Sequence, residues 1–357
     1  MKILNRYLGR EIIKATLFVL VGLLTLFAFF DLMHELGDLG KGRYGMGLIL
    51  MFVLLSVPNH VYELAPVAVL IGTLFALARM VANSEFTVLR VSGLSAQRIG
   101  FFLLLVGLGF TAVTFIFGEF IAPSSQNTAQ QLRLKATSSM VAQEFRSGLW
   151  VKDGPNFVNV AEMLPDTTLL NIKIYEFDSD FHLRTISSAA QGHFRRENMW
   201  QLHDVVQTRF EEGRATVTRF PEKSWESALN PDLLSVLLVV PEQMSVWNLY
   251  RYVEHLRENK QKSGRYEIAL WGKLTYPFAA MVLMLLALPF SYHHSRAGGV
   301  GGKVFVGIML GLGFHLLNRL FAHLGLLNGW PPLFSAIFPT LLFLLVAVGL
   351  MWRVERR

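Results

Sequence analysis

The chain has 357 residues, 52% of them hydrophobic and only 17% charged, with no cysteine and a formal net charge of +7. Apolar runs such as "LTYPFAAMVLMLLALPF" exclude a soluble protein and identify helices of about 20 residues crossing a ~30 Å hydrocarbon layer. Nucleic acid is excluded as a partner, because the basic residues are scattered around the spans rather than massed in one patch. Any exported part must hold together without disulfides.

In chain order, the pattern predicts spans near 13–34, 58–78, 99–122, 268–290, 303–325 and 332–352. Lys2, Arg6, Arg10 and Lys14 precede the first, which predicts a cytoplasmic N-terminus by the positive-inside rule. No small-residue cleavage pattern follows Phe30, so the first span reads as an uncleaved anchor. Gly37, Gly40, Gly42 and Gly45 then mark a loop, and Pro58 breaks the apolar stretch behind it, which predicts a separate short helix over 45–57. His60 and Glu63 share a helix face and predict a local hydrogen bond or an interfacial position.

The second link, "VANSEFTVLRVSGLSAQ" at 81–97, carries more than a passive connector needs. Ser84 can cap a helix of about 84–92, Glu85 suits its first turn, and Gly93 stops it. Phe86, Val88, Leu89 and Val91 supply apolar surface, interrupted by Thr87 and Arg90. Two readings are open: a helix in the lipid headgroup layer with Arg90 on phosphate, or a coupling helix in a groove of a cytoplasmic partner. A purely lipid-facing helix gains nothing from Glu85.

Residues 123–265 differ in kind. "NIKIYEF", "FHLRTI" and "MWQLHDVV" alternate with period two, and "KDGPN", "DSD" and "REN" supply turns. This predicts an inserted all-β sandwich or jelly roll on the periplasmic side, with inward positions such as Ile172, Ile174 and Leu183. After Pro241, Ser245 caps an amphipathic helix whose stripe is Val246, Leu249, Tyr250, Val253 and Leu256, and Gly264 stops it. The expected organisation is 1–122 (three spans with the coupling helix), 123–265 (β domain with flanking helix) and 266–357 (three spans).

The sequence offers no catalytic constellation. "AGGVGGKVF" has its glycines at the wrong distance for a phosphate loop, and no Ser or Thr follows Lys303. His293 and His294 point to different faces and lack a second cluster with ligand spacing, so no metal site is expected. His315, Arg319 and His323 do recur every four residues on one face of an apolar helix. Arg319 stands about five residues inside the outer end of its span, roughly 7–8 Å deep. An ionisable residue there faces a cavity or a partner, or snorkels to the headgroups.

"NSEFTVLRVSG", "GEFIAPSSQ" ending span three, "GLWVKDGPNFV" opening the β domain and "GRYEIALWGKL" entering span four occur in the order of, and resemble, segments of the lipopolysaccharide export permease family. "LLSVP" precedes them, and the resemblance spans essentially the whole chain. It implies a non-catalytic half-transporter of the ATP-binding-cassette class, with ATP and Mg held by a cytoplasmic ABC ATPase dimer and no cofactor on this chain. It further implies a second, F-type permease, a single-span C-type periplasmic protein and a β jelly-roll bridge. The cargo is lipopolysaccharide, drawn from membrane lipid in the outer leaflet of the inner membrane.

Glu85 matches the family's acidic coupling residue, with Phe86, Leu89 and Arg90 beside it. Arg133 matches a basic position used for the lipid head. Gln130 and Asp31 stand where the family carries basic residues, so the grip is expected to be redistributed onto Lys41, Arg43, Lys135 and Arg319. Lipoprotein-release or cell-wall permeases are the first rivals, but they place a large domain after the first span. A receptor or scaffold is the second, and it would need a cytoplasmic signalling domain where the sequence has "RVERR".

Overall fold

The computed structural model describes residues 2–85, 96–137, 149–163, 168–178, 182–195, 199–211, 214–227, 241–258, 260–293 and 300–355. Helix α1 (Lys2–Glu35) runs into a 3-10 turn, Leu36–Asp38, and α2 (Met46–Ala82) follows. Helix α3 (Ala96–Ile116) passes through a π turn, Phe117–Ile121, into α4 (Ala122–Thr137). Strands β1 (Leu149–Asp153), β2 (Asn156–Met163), β3 (Leu169–Phe177), β4 (Leu183–Phe194), β5 (Met199–Glu211) and β6 (Arg214–Glu226) come next. After them lie α5 (Val246–Glu258), α6 (Gly264–Thr275), α7 (Phe278–His293), α8 (Val300–Asn328) and α9 (Pro332–Glu355).

Five stretches are long and apolar enough to cross a membrane, and α6 with α7, bent by 54°, make a sixth. The chain is thus a multi-pass membrane protein with an antiparallel sheet inserted between its helices. Helix α2 is the hub. It is buried over 72% of its most apolar window, whereas the corresponding windows of α1, α8 and α9 are 17%, 22% and 28% buried. Its Val69, Ala76, Leu77 and Met80 pack with Leu8 and Ile12 of α1 and Met284 of α7, while Leu70 and Leu74 meet Leu283, Leu286 and Phe314.

The expected separate helix over 45–57 does not form. Helix α2 is continuous for 37 residues through Pro58 and Pro66. At 1.5 Å per residue it is about 55 Å long, well beyond the hydrocarbon thickness. Proline removes one hydrogen bond and clashes with the preceding turn, but within a packed bundle neighbouring helices re-satisfy the freed groups. Pro58 therefore leaves this helix unbroken.

The six strands pair in the order β1-β2-β3-β4-β5-β6, each antiparallel to the next. Period two holds: Ile172 and Ile174 of β3 are buried with Val158, Trp200 and Leu202, while their neighbours point outward. Leu183, at the start of β4, is half-buried and stands outside that cluster. Ser227, just past β6, donates to Asp153 Oδ2 of β1 at 2.6 Å, so the sheet curls until its two ends meet.

Helix α5 begins as expected, with Ser245 Oγ accepting from the Asn248 amide at 3.2 Å. Its buried stripe is Leu249, Tyr252, Val253 and Leu256. Tyr252 replaces the expected Tyr250, which is exposed and stacks on Trp247. Burial pushes the Tyr252 phenol well above its ordinary range. Gly264 does not end α5; the helix stops at Glu258 and Gly264 opens α6.

Candidate functional site

The predicted basic residues fall in two places. The first is where the end of α1, the following turn and α4 converge. Arg133 Nε lies 3.2 Å from Glu35 Oε2, and its Nη2 lies 2.6 Å from Asp38 Oδ2. Lys41 Nζ donates to the other Asp38 oxygen at 2.6 Å. Tyr44 donates its hydroxyl to Glu35 Oε2 at 2.8 Å. Burial, and then that bond to a carboxylate, push the Tyr44 phenol far above its ordinary value.

Leu32, Ile49, Leu132 and Ala136 enclose this network, and the Arg133 guanidinium lies 5.8 Å from the centre of the Phe52 ring. The grip is therefore a neutralised cluster. Glu35 is 2% exposed and satisfied, and Lys41 and Arg133 reach any external anion only in competition with two carboxylates. Arg43 is exposed, and its backbone amide donates to Ala136 O at 2.7 Å. Lys135 lies on α4, and its side chain is outside the described residues. Sequence reasoning missed Glu35, Asp38 and Tyr44; the only signal was two carboxylates beside a glycine-rich loop.

Asp31, which stands where a cation was expected, pairs instead with His60 Nε2 at 2.6 Å across α1 and α2. Glu63 accepts from Asn59 Nδ2 at 3.1 Å. His60 and Glu63 thus bond to different partners rather than to each other.

The second place is a cavity of about 690 Å³ bounded by α2, α6, α8, α9 and the turn at Pro241–Gln243. His315, Arg319 and His323 line it from α8, Arg265 and Lys273 from α6, and Glu63 from α2. Lys273 is buried; its ammonium donates to the Met244 carbonyl and lies 5.4 Å from the centre of the Tyr62 ring. Tyr62, Glu63 and Lys273 were missed, since no local pattern brings them to the Arg319 face.

At the opposite end of the bundle, Glu85 is described and half-buried, whereas Phe86, Leu89 and Arg90 lie outside the described residues. Ser84 has φ 61, in the left-handed region rather than the extended conformation of an N-cap. Glu85 Oε2 accepts from the Tyr7 hydroxyl at 3.0 Å, and its Oε1 from Asn83 Nδ2 at 3.2 Å. Lys303, the lysine of the rejected phosphate loop, is buried and donates to the Ser291 carbonyl at 2.9 Å, tying α7 to α8. Among the described residues no three His, Asp or Glu gather as a metal site would require.

Spans around a hub helix, a sheet inserted between them and charged clusters inside the bundle define a polytopic membrane protein of the permease type. The model of the family described as lipopolysaccharide export system permease LptF/LptG matches residues 6–353. The chain is similar to lipopolysaccharide export system permease protein LptG of Haemophilus influenzae, with 31% identity covering 99% of this chain and 98% of that one. It is similar to LptG of Escherichia coli K12, with 32% identity covering 98% of each. A shorter stretch of 93 residues is 34% identical to LptF of Escherichia coli K12, covering 26% of this chain and 25% of that one. This chain belongs to the LptF/LptG permease family.

Proposed function

We propose that this chain is the G-type permease subunit of a complex that extracts lipopolysaccharide from the outer leaflet of the inner membrane. The observation that carries the reading is the family match over residues 6–353, supported by relatives named LptG that align along almost their whole length. In this reading the chain pairs with an F-type permease, and the cargo enters between the two. Its β domain lies in the periplasm and continues, with a single-span C-type protein, into a bridge toward the outer membrane. Both termini are cytoplasmic, as the basic flanks of the spans suggest.

The chain itself performs no hydrolysis in this reading; ATP and Mg sit on a cytoplasmic ABC ATPase dimer. Glu85, Phe86, Leu89 and Arg90 form the contact through which that motor pulls, by the helix-in-groove mode. A carboxylate shielded in such a groove pairs well with an arginine, because charge-assisted hydrogen bonds are short and directional. Lys41, Arg43, Arg133 and Lys135 hold the phosphorylated head of the cargo. Glu35 and Asp38 keep the Arg133 cluster neutral until an anion displaces them. Arg319 contributes the field of a cation set inside the span.

The test is affinity purification of the tagged chain in mild detergent. Recovery of an ATPase, a second six-span protein and bound lipopolysaccharide supports the reading. ATP hydrolysis by the isolated chain, or an N-terminus accessible only from the periplasm, overturns it.

A further inference from the structure

The Arg319 cavity is built differently from the Arg133 cluster, and the difference points to a different ligand. Arg133 is matched by two carboxylates. Arg319 and Arg265 form no hydrogen bond or ion pair among the described residues, and both line the same space. With Lys273, His315 and His323, they place an excess of donors around a cavity whose acidic lining is Glu63 and Glu242. An unpaired guanidinium on a membrane-spanning helix is costly and requires an anion or water to complete it.

The walls matter as much as the charge. All of them come from one chain, and about 690 Å³ lies within the size range of small-ligand sites. A cargo with many acyl chains needs a larger space shared between subunits; a headgroup with its glycerol does not. Beside the basic groups the lining turns apolar at Ile268 and Leu326, and Leu326 is 45% exposed on the outside of the bundle, where acyl chains can leave toward the bilayer.

We propose that this cavity is a resident phospholipid site: the phosphate of a glycerophospholipid sits against Arg319 and Arg265, and its acyl chains leave past Leu326. Arg319 offers a planar fork to phosphate oxygens, and the two imidazoles add donors one helical turn above and below it. The occupied cavity then fixes α8 against α6 and α9 without a contact to the exported cargo.

The full-length chain, purified in mild detergent from native membranes, is extracted and its bound lipids are quantified by mass spectrometry. The wild type should retain glycerophospholipid through washing. Arg319→Gln should retain about tenfold less, the factor expected for loss of a charge-assisted contact, and Arg319→Lys should lie between the two. Arg265→Gln reads the same cavity from α6 if Arg319→Gln fails to fold. Arg133→Gln, in the separate cluster, should leave the phospholipid signal in place. Equal retention by wild type and both glutamine variants overturns the proposal. So does a lipid signal at this cavity composed of lipopolysaccharide alone, or thermal stabilisation by inorganic phosphate without any by phosphatidylglycerol vesicles.

Discussion

Tyr7, in the second turn of α1, donates its hydroxyl to the carboxylate of Glu85 at 3.0 Å, 78 positions along the chain. Asn83 holds the other oxygen of that carboxylate. The residue proposed to meet the ATPase is thus aimed by the first helix, and a force applied at Glu85 passes directly into α1. Glu85→Ala should reduce lipopolysaccharide export in a reconstituted transport assay by about tenfold or more, the factor for one lost charge-assisted contact, with the amount of protein in the membrane unchanged. Tyr7→Phe leaves the carboxylate present but less directed. Because this bond is exposed, the loss should stay below about fivefold. The double variant should be no worse than Glu85→Ala alone; additive losses would mean that Tyr7 acts elsewhere.

Arg133 sets a second test, because its two roles oppose each other. It neutralises Glu35, which is almost fully buried, and it is a proposed contact for the cargo. Arg133→Ala leaves that carboxylate uncompensated and should lower stability by about 2 kcal/mol, less than for a fully buried pair because the Arg133 side chain is 30% exposed. Adding Glu35→Gln should restore most of the thermal stability in detergent without restoring photocrosslinking to lipopolysaccharide. Asp38→Asn works in the other direction. It releases Arg133 and Lys41 from a competing carboxylate and should raise crosslinking at both positions.

The spans could be read from run length alone, since about 20 apolar residues have few other uses. The period of 3.6 put His315, Arg319 and His323 on one face, and period two put Ile172 and Ile174 inside the sheet. What could not be read depended on partners far along the chain. Arg133 looks like a free cation until α1 brings Asp38 to it from 95 positions away. Proline looked like a break at Pro58 because the local cost was visible and the compensating bundle around α2 was not. Gly264 illustrates the same limit at short range: a glycine between two helices can end one or begin the next, and only packing decides.

Gly72 is where α2 approaches α1 most closely. A Cβ placed there would lie 2.5 Å from the Thr16 Cα and 2.6 Å from its backbone nitrogen. Backbone cannot step aside as a flexible side chain can, so Gly72→Ala must push the two helices apart. Small residues permit this kind of crossing in membranes, and overpacking it should cost about 1–3 kcal/mol. Gly22→Ala, with nothing within 4 Å of the new methyl, is the matched control and should be neutral. Thermal unfolding in detergent separates the two; equal melting would show that α1 packs less tightly on α2 than the distances state.

Glu119 joins the inserted sheet's exit to the third span. It sits in the π turn Phe117–Ile121 and accepts from the Val246 amide at 2.7 Å, at the first residue of α5. A carboxylate at that position satisfies an otherwise orphaned donor and complements the positive end of the helix dipole. Nearby, buried Lys273 of α6 holds the carbonyl of Met244, so the segment between sheet and α5 is fixed from two spans. A π turn costs regular helical hydrogen bonding and often marks a functional site; here it presents Glu119 toward α5. Glu119→Gln keeps an acceptor and removes the charge, and it should loosen α5 mildly. Glu119→Ala removes both and should speed amide exchange at Val246 by about tenfold, the factor for roughly 1.4 kcal/mol of lost protection. Exchange within β3 and β4 should stay unchanged in both variants, because the sheet has its own core around Trp200. If exchange rose equally across α5 and the sheet, Glu119 would be supporting the whole domain rather than the joint.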